Sequence, residues 1–129
     1  MRARVLLCRA VRILVVDDDL ELNRLLSRFL EKHGFAVTSA GDALQALDAL
    51  EREQIDFVIT DLMMPVLDGL AFLDALRADP RRKNLPVIFI TAYPDDRKAE
   101  ESLRKGAAFF LAKPVDFDRL LTIIRFAQG

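Results

Sequence analysis

The chain has 129 residues, enough for one compact domain and too few for two. Hydrophobic residues make up 52%, which supports a real core and excludes a disordered chain. With 19 basic and 20 acidic residues the formal charge is −1, which argues against a general nucleic-acid or membrane-surface role. The single Cys8 has no intramolecular partner and suits a reducing compartment. The apolar patch Val5-Leu6-Leu7-Cys8 is too short for a signal-peptide core, and Arg9 interrupts it. The expected location is therefore the cytoplasm.

In chain order, Val11–Val16 is an apolar run broken only by Arg12, and it ends in Asp17-Asp18-Asp19. Leu22, Leu25, Leu26, Phe29 and Leu30 then recur at helical spacing until His33-Gly34 stops the helix. His33 reads as a C-terminal cap on the helix dipole. Ala36–Ala40 is a short strand. Ala43, Leu44, Leu47 and Leu50 mark a second helix capped by Asp42. Ile55–Thr60 is a strand ending at Asp61. The loop 62–68, in which Met63 and Met64 read as packing residues, leads to a helix with Leu70, Leu73 and Leu76, ended by Asp79-Pro80. Pro86–Tyr93 holds the strand Val87-Ile88-Phe89-Ile90. Asp95–Lys105 is a charged helix whose only apolar stripe is Ala99 and Leu103, and Gly106 ends it. Ala107–Ala112 is the last strand, closed by Lys113-Pro114. Asp116 caps a final helix in which Phe117, Leu120, Leu121 and Ile124 form a stripe with Phe126 opposite.

Strict alternation of strand and helix, with apolar strands, implies a parallel sheet covered by helices on both faces. Strands 1, 3, 4 and 5 are apolar enough to be buried on both sides. The fold class is α/β, with five strands and five helices and the domain at residues 11–128. Residues 1–10 form an N-terminal extension, expected as a disordered tail or an added strand.

In a parallel sheet all strands end on one side, where ligands bind. Asp17, Asp18 and Asp19 follow strand 1, Asp61 follows strand 3, Thr91 follows strand 4 and Lys113 follows strand 5. Each alone has an ordinary role as cap, turn or strand residue. Together they converge on one rim. Carboxylates crowded there repel each other, and a hard divalent cation such as Mg²⁺ removes that conflict. A cation, a lysine and a threonine hydroxyl make a phosphate-accepting pocket, with one carboxylate as nucleophile.

The motifs ILVVDDD (13–19), VITDLMMPVLDG (58–69), VIFITA (87–92) and FFLAKP (109–114) resemble, in order and spacing, those of the receiver domains of bacterial response regulators. The resemblance covers about residues 11 to 128. It implies a flavodoxin-like sheet of order 2-1-3-4-5. It also implies Asp61 as phosphoacceptor, Asp18 as direct Mg²⁺ ligand, Asp17 acting through a metal-bound water, and the backbone carbonyl of Met63 as a further ligand. Lys113 contacts the phosphoryl group in such domains, and Thr91 hydrogen-bonds it. Phe110 matches the aromatic that turns inward with Thr91, and Ala92 the small residue leaving room. Met63 and Tyr93 match positions that tune phosphoryl lifetime, and Lys113-Pro114 matches a cis bond. Val66 departs from the family, which has Gly or Asn at a position that often needs positive φ.

The implied donor is a phosphohistidine on a histidine kinase or histidine phosphotransfer protein. The implied output is a downstream protein or a homodimer, through the surface of helix 4, strand 5 and helix 5, with Ile123 and Phe126 as candidates. Two other readings compete. A haloacid-dehalogenase-like phosphatase shares the D-x-D spacing of Asp17–Asp19, but Leu20-Glu21 follows in place of Gly-Thr/Val, and little chain remains for a cap. A phosphorylation-independent pseudo-receiver typically lacks one or more site residues, and here all are present.

Overall fold

The computed structural model describes residues 10–128. The extension expected at 1–10 lies, apart from Ala10, outside the described residues.

Ten elements alternate along the chain: β1 (Arg12–Val16), α1 (Leu20–Lys32), β2 (Ala36–Ala40), α2 (Ala43–Arg52), β3 (Phe57–Asp61), α3 (Gly69–Ala78), β4 (Val87–Thr91), α4 (Asp96–Arg104), β5 (Phe109–Ala112) and α5 (Phe117–Gln128). All pairings are parallel and the sheet order is β2-β1-β3-β4-β5. Aspartates cap α1 to α4: Asp19, Asp42, Asp68 and Asp95 accept backbone N–H groups of the first turns. Asp116 does the same for α5 through the Arg119 N–H. His33 closes α1, its Nδ1 2.9 Å from Phe29 O. No helix among the described residues is long and apolar enough to cross a membrane.

Alternate residues of each central strand feed two cores. Leu14, Val16, Val58, Val87 and Phe89 meet α2 and α3 on one face. Ile13, Val15, Phe57, Ile59, Ile88 and Ile90 meet α1 and α5 on the other. β3 and β4 are buried throughout, as their apolar runs require.

Three details differ from the sequence reading. β5 is only partly buried, because it is an edge strand covered on one side by a single neighbour. In α2 the inward stripe is Ala43, Ala46, Ala49 and Leu50, while Leu44 is exposed. In α4 the buried residue is Ser102, and Leu103 faces outward. In both helices small side chains face the sheet and let the backbones approach, a role that a search for large apolar residues does not detect.

Candidate functional site

Strand register sets the site. Val16 pairs with Thr60, so the next residues, Asp17 and Asp61, stand level at the carboxyl ends of β1 and β3. Asp61 pairs with Ile90, which puts Thr91 one step beyond on β4. Thr91 pairs with Ala112, which puts Lys113 one step further on β5. The Lys113-Pro114 peptide is cis.

Local hydrogen bonds hold the carboxylates. Asp17 is 0% exposed, and its Oδ1 accepts the Asp19 N–H at 2.9 Å. Asp61 is buried, and its Oδ1 accepts the Met63 N–H at 3.0 Å. Lys113 reaches both: its Nζ lies 3.0 Å from Asp17 Oδ2 and 3.1 Å from Asp61 Oδ2. The contact with Asp61 is a hydrogen bond. The contact with Asp17 is an ion pair, and no other donor among the described residues reaches the buried Asp17 Oδ2.

Burial pushes the Asp17 carboxyl above its ordinary value, and the Asp61 charge adds to this. The Asp19 N–H and Lys113 pull the other way without cancelling it. Burial alone would lower Lys113, yet its two carboxylate partners outweigh burial and hold its pKa above the usual lysine value. Asp18 is exposed beside this pair, and carboxylate oxygens of Asp17, Asp18 and Asp61 lie within 4.8 Å of one another. Three hard oxygens, one of them a buried orphan, fit a divalent cation and form an acidic pocket that could bind one.

A profile of the response regulator receiver domain matches residues 13–125. The chain belongs to that family. Receiver domains are signalling modules of two-component systems, and membership implies a histidine kinase upstream and an effector downstream. This receiver domain is 34% identical over 120 residues to the probable chemotaxis protein CheY of Rhizobium etli, covering 92% of this chain and 93% of that protein. It is 39% identical over 116 residues to Response regulator Rre1 of Synechocystis, covering 89% of this chain but only 50% of that longer protein. The crystal structure of a response regulator receiver protein from Pseudomonas putida superposes with a TM-score of 0.88 at 30% identity, over 93% of this chain and 99% of that one.

The other residues singled out by sequence fall as follows. Thr91 is buried at the end of β4, its Oγ1 accepting the Tyr93 N–H at 3.2 Å. The Tyr93 ring is 77% exposed. Met63 is half-exposed, its Sδ 3.6 Å from Lys98 Nζ on α4. Phe110 is half-buried against the α2–α3 core. Phe126 is 76% exposed and meets Phe109 edge-on, with centroids 6.4 Å apart. Ile123 is a correction: it is 8% exposed and packs in the α1–α5 core, so it does not belong to an open surface. The apolar stripe of α5 is wider than expected and takes in position 123. Sequence reasoning also passed over Asn23, a buried amide on α1, because a lone asparagine at mid-helix gives no periodic signal.

Proposed function

We propose that this receiver domain, residues 11–128, accepts a phosphoryl group on Asp61 from a phosphohistidine donor and passes the change to a protein-interaction surface. The observation that supports this best is the buried Oδ2 of Asp17 beside Asp61, with Lys113 between them as its sole cationic partner among the described residues. Asp17, Asp18, Asp61 and the Met63 carbonyl would hold Mg²⁺. When bound, that ion supplies positive charge against the phosphoryl oxygens.

The chain's own residues do the rest. The Met63 N–H fixes the Asp61 carboxylate, so one of its oxygens is presented at a constant angle. That oxygen forms a bond to phosphorus while the phosphorus–nitrogen bond of the donor breaks. The electron pair returns to the imidazole, which takes up a proton. Lys113, held positive by its two carboxylates, moves from neutralising Asp61 to neutralising the new phosphoryl group. The Thr91 hydroxyl exchanges its Tyr93 partner for a phosphoryl oxygen, and Phe110 follows it inward. The protein turns over no external substrate. It changes only its own phosphorylation state, in the cytoplasm.

Incubation with acetyl phosphate and Mg²⁺ should add one phosphoryl mass to the native chain and none to Asp61→Asn. Full labelling of Asp61→Asn sinks the assignment. Absence of labelling and of Mg²⁺ binding in the native chain would favour the pseudo-receiver reading instead.

A further inference from the structure

We infer that Asn23 is a positioning residue for the cation site: its carboxamide fixes the backbone of Asp17 and thereby sets the affinity for Mg²⁺. This rests on reading Asp17, Asp18 and Asp61 as that site. Asn23 lies on α1, one turn after the cap, and is buried. Its Nδ2 faces three carbonyl oxygens: Val15 O at 3.3 Å, Asp17 O at 3.3 Å and Ala40 O at 3.1 Å. Ala40 O also accepts the Asp17 N–H at 3.1 Å. One side-chain amide therefore joins the end of β1, the end of β2 and the first residue of the loop that carries the carboxylates.

The orientation of that amide is dictated by its surroundings. Asn23 Oδ1 accepts from Ser27 Oγ at 3.4 Å, and Ser27 Oγ lies 3.1 Å from Ser39 Oγ. A flipped amide would turn its oxygen onto three other oxygens, none of which can donate. Asparagine is also a poor helix former, so its place in α1 is not explained by helix propensity.

The link to the cation runs through Asp17. One oxygen of its carboxylate is tied to the Asp19 N–H and the other has no hydrogen bond. That second oxygen meets only the ammonium at the end of the long Lys113 side chain, so the direction of the carboxylate depends on the Asp17 backbone that carries it. On the far side of that residue the Asn23 amide holds the carbonyl. An amide donates two N–H bonds, and replacing it with a methyl group removes both. The Asp17 N–H still reaches Ala40 O, but the Asp17 carbonyl loses the side-chain donor that ties it to β1 and β2, and the spacing of Asp17 to Asp18 and Asp61 loosens. Groups that orient metal ligands from behind govern metal affinity by about 10–100-fold.

The test is an amide chemical-shift titration with MgCl₂ on the native chain, with no phosphoryl donor present. Asn23→Ala is expected to weaken Mg²⁺ binding about tenfold or more. Asn23→Asp, which keeps the size and loses the donors, should weaken it at least as much. Leu26→Ala is the control: Leu26 is buried on the same helix and belongs to the α1–α5 core. It should lower stability and leave Mg²⁺ affinity unchanged. Should Asn23→Ala fail to fold, Ser27→Ala removes the hydroxyl that orients the amide and should give a smaller loss in the same direction. Native affinity in the folded Asn23 variants, or in Ser27→Ala where those do not fold, overturns the inference. An equal loss in Leu26→Ala does the same. If the native chain binds no Mg²⁺, the reading of the cation site itself has failed, which is a different result.

Discussion

Lys113 Nζ lies 3.0 Å from the buried Oδ2 of Asp17, and no other donor among the described residues reaches that oxygen. Lys113 pulls the Asp17 pKa down, yet burial outweighs it and leaves the carboxyl raised. A folded-state pKa above the unfolded one means that the ionised carboxylate destabilises the fold. That penalty is full above the folded pKa and is relieved as pH falls through it toward 3.8.

Asp17→Asn should therefore raise stability at pH 7 without Mg²⁺, by about 0.5–2 kcal/mol. With Mg²⁺ the order should reverse. The native chain gains about 2.7 kcal/mol at a free concentration 100 times its Kd, and the variant gains little. Urea unfolding at pH 7 with and without MgCl₂ measures both. A variant less stable than the native chain in the absence of Mg²⁺ would contradict this account of Asp17.

Val66 stands at φ 70 and is 85% exposed. A β-branched side chain there is strained by about 1–2 kcal/mol and makes few contacts in return. Val66→Gly relieves the strain and gives back about 0.5–1 kcal/mol to the flexibility of the unfolded chain. The net expectation is a gain of roughly 0.5–1 kcal/mol, read as a higher melting temperature. An unchanged or lower Tm would mean that the loop does not store this strain.

Gly69 opens α3 for a different reason. A Cβ there would fall 2.8 Å from Phe89 Cε1, 2.9 Å from Leu62 Cα and 3.0 Å from Asp61 O. Two of the three are backbone atoms that cannot step aside cheaply. Gly69→Ala should cost about 1–3 kcal/mol. Because one clash is with Asp61 itself, labelling by acetyl phosphate should slow as well. Native stability together with native labelling would show that the loop has slack.

The need for positive φ at Val66 was legible in the sequence, whereas the close approach at Gly69 was not. The sheet was legible because β1, β3 and β4 are apolar runs, and each ends in a residue that an apolar strand would not otherwise carry. Asp17, Asp61, Thr91 and Lys113 thus announce both the strand ends and the site. The helix faces were less legible. Ala46 and Ser102 face inward while Leu44 and Leu103 face out, because close approach to a sheet favours small side chains over large ones. Ile123 was misplaced for a related reason, since a helix packed against both α1 and the sheet buries a wider arc than a single stripe. Asn23 was invisible because its partners are backbone carbonyl oxygens 6, 8 and 17 residues away, and a bond to a carbonyl leaves no mark on side-chain periodicity.

Phosphorylation should be read on the α4–β5–α5 surface. Thr91 should leave the Tyr93 N–H that it now accepts, and Phe110, half-buried beside the α2–α3 core, should move deeper; the exposed Phe126 on α5 lies next to Phe109 of the same edge strand. A phosphate mimic such as beryllofluoride with Mg²⁺ selects between two pre-existing arrangements. Amide shifts should extend from residues 61 and 91 to residues 109–112 and 126. Phe110→Ala should shrink the shifts at 126 while keeping those at the site. Shifts confined to the acidic pocket would mean that no surface is switched.

The phosphorylated form should be long-lived, and Met63 should be the main reason. Hydrolysis needs a water held in line with the Asp61 oxygen, so a residue that orients water speeds it and one that excludes water slows it. The Met63 N–H is bonded to Asp61, which fixes the start of its side chain at the rim of the site. Its thioether is a poor acceptor, and its Sδ lies 3.6 Å from Lys98 Nζ on α4. Tyr93 is 77% exposed, so its share of the cover is smaller. Loss of phosphate after removal of the donor should therefore be faster in Met63→Asn, whose amide can orient water. The effect should be about 10-fold, below the roughly 100-fold that a fully positioned acid–base group contributes at the least. Tyr93→Glu should speed loss by a smaller factor. Unchanged or slower loss in both variants would show that neither side chain controls the approach of water to the Asp61 phosphoryl group.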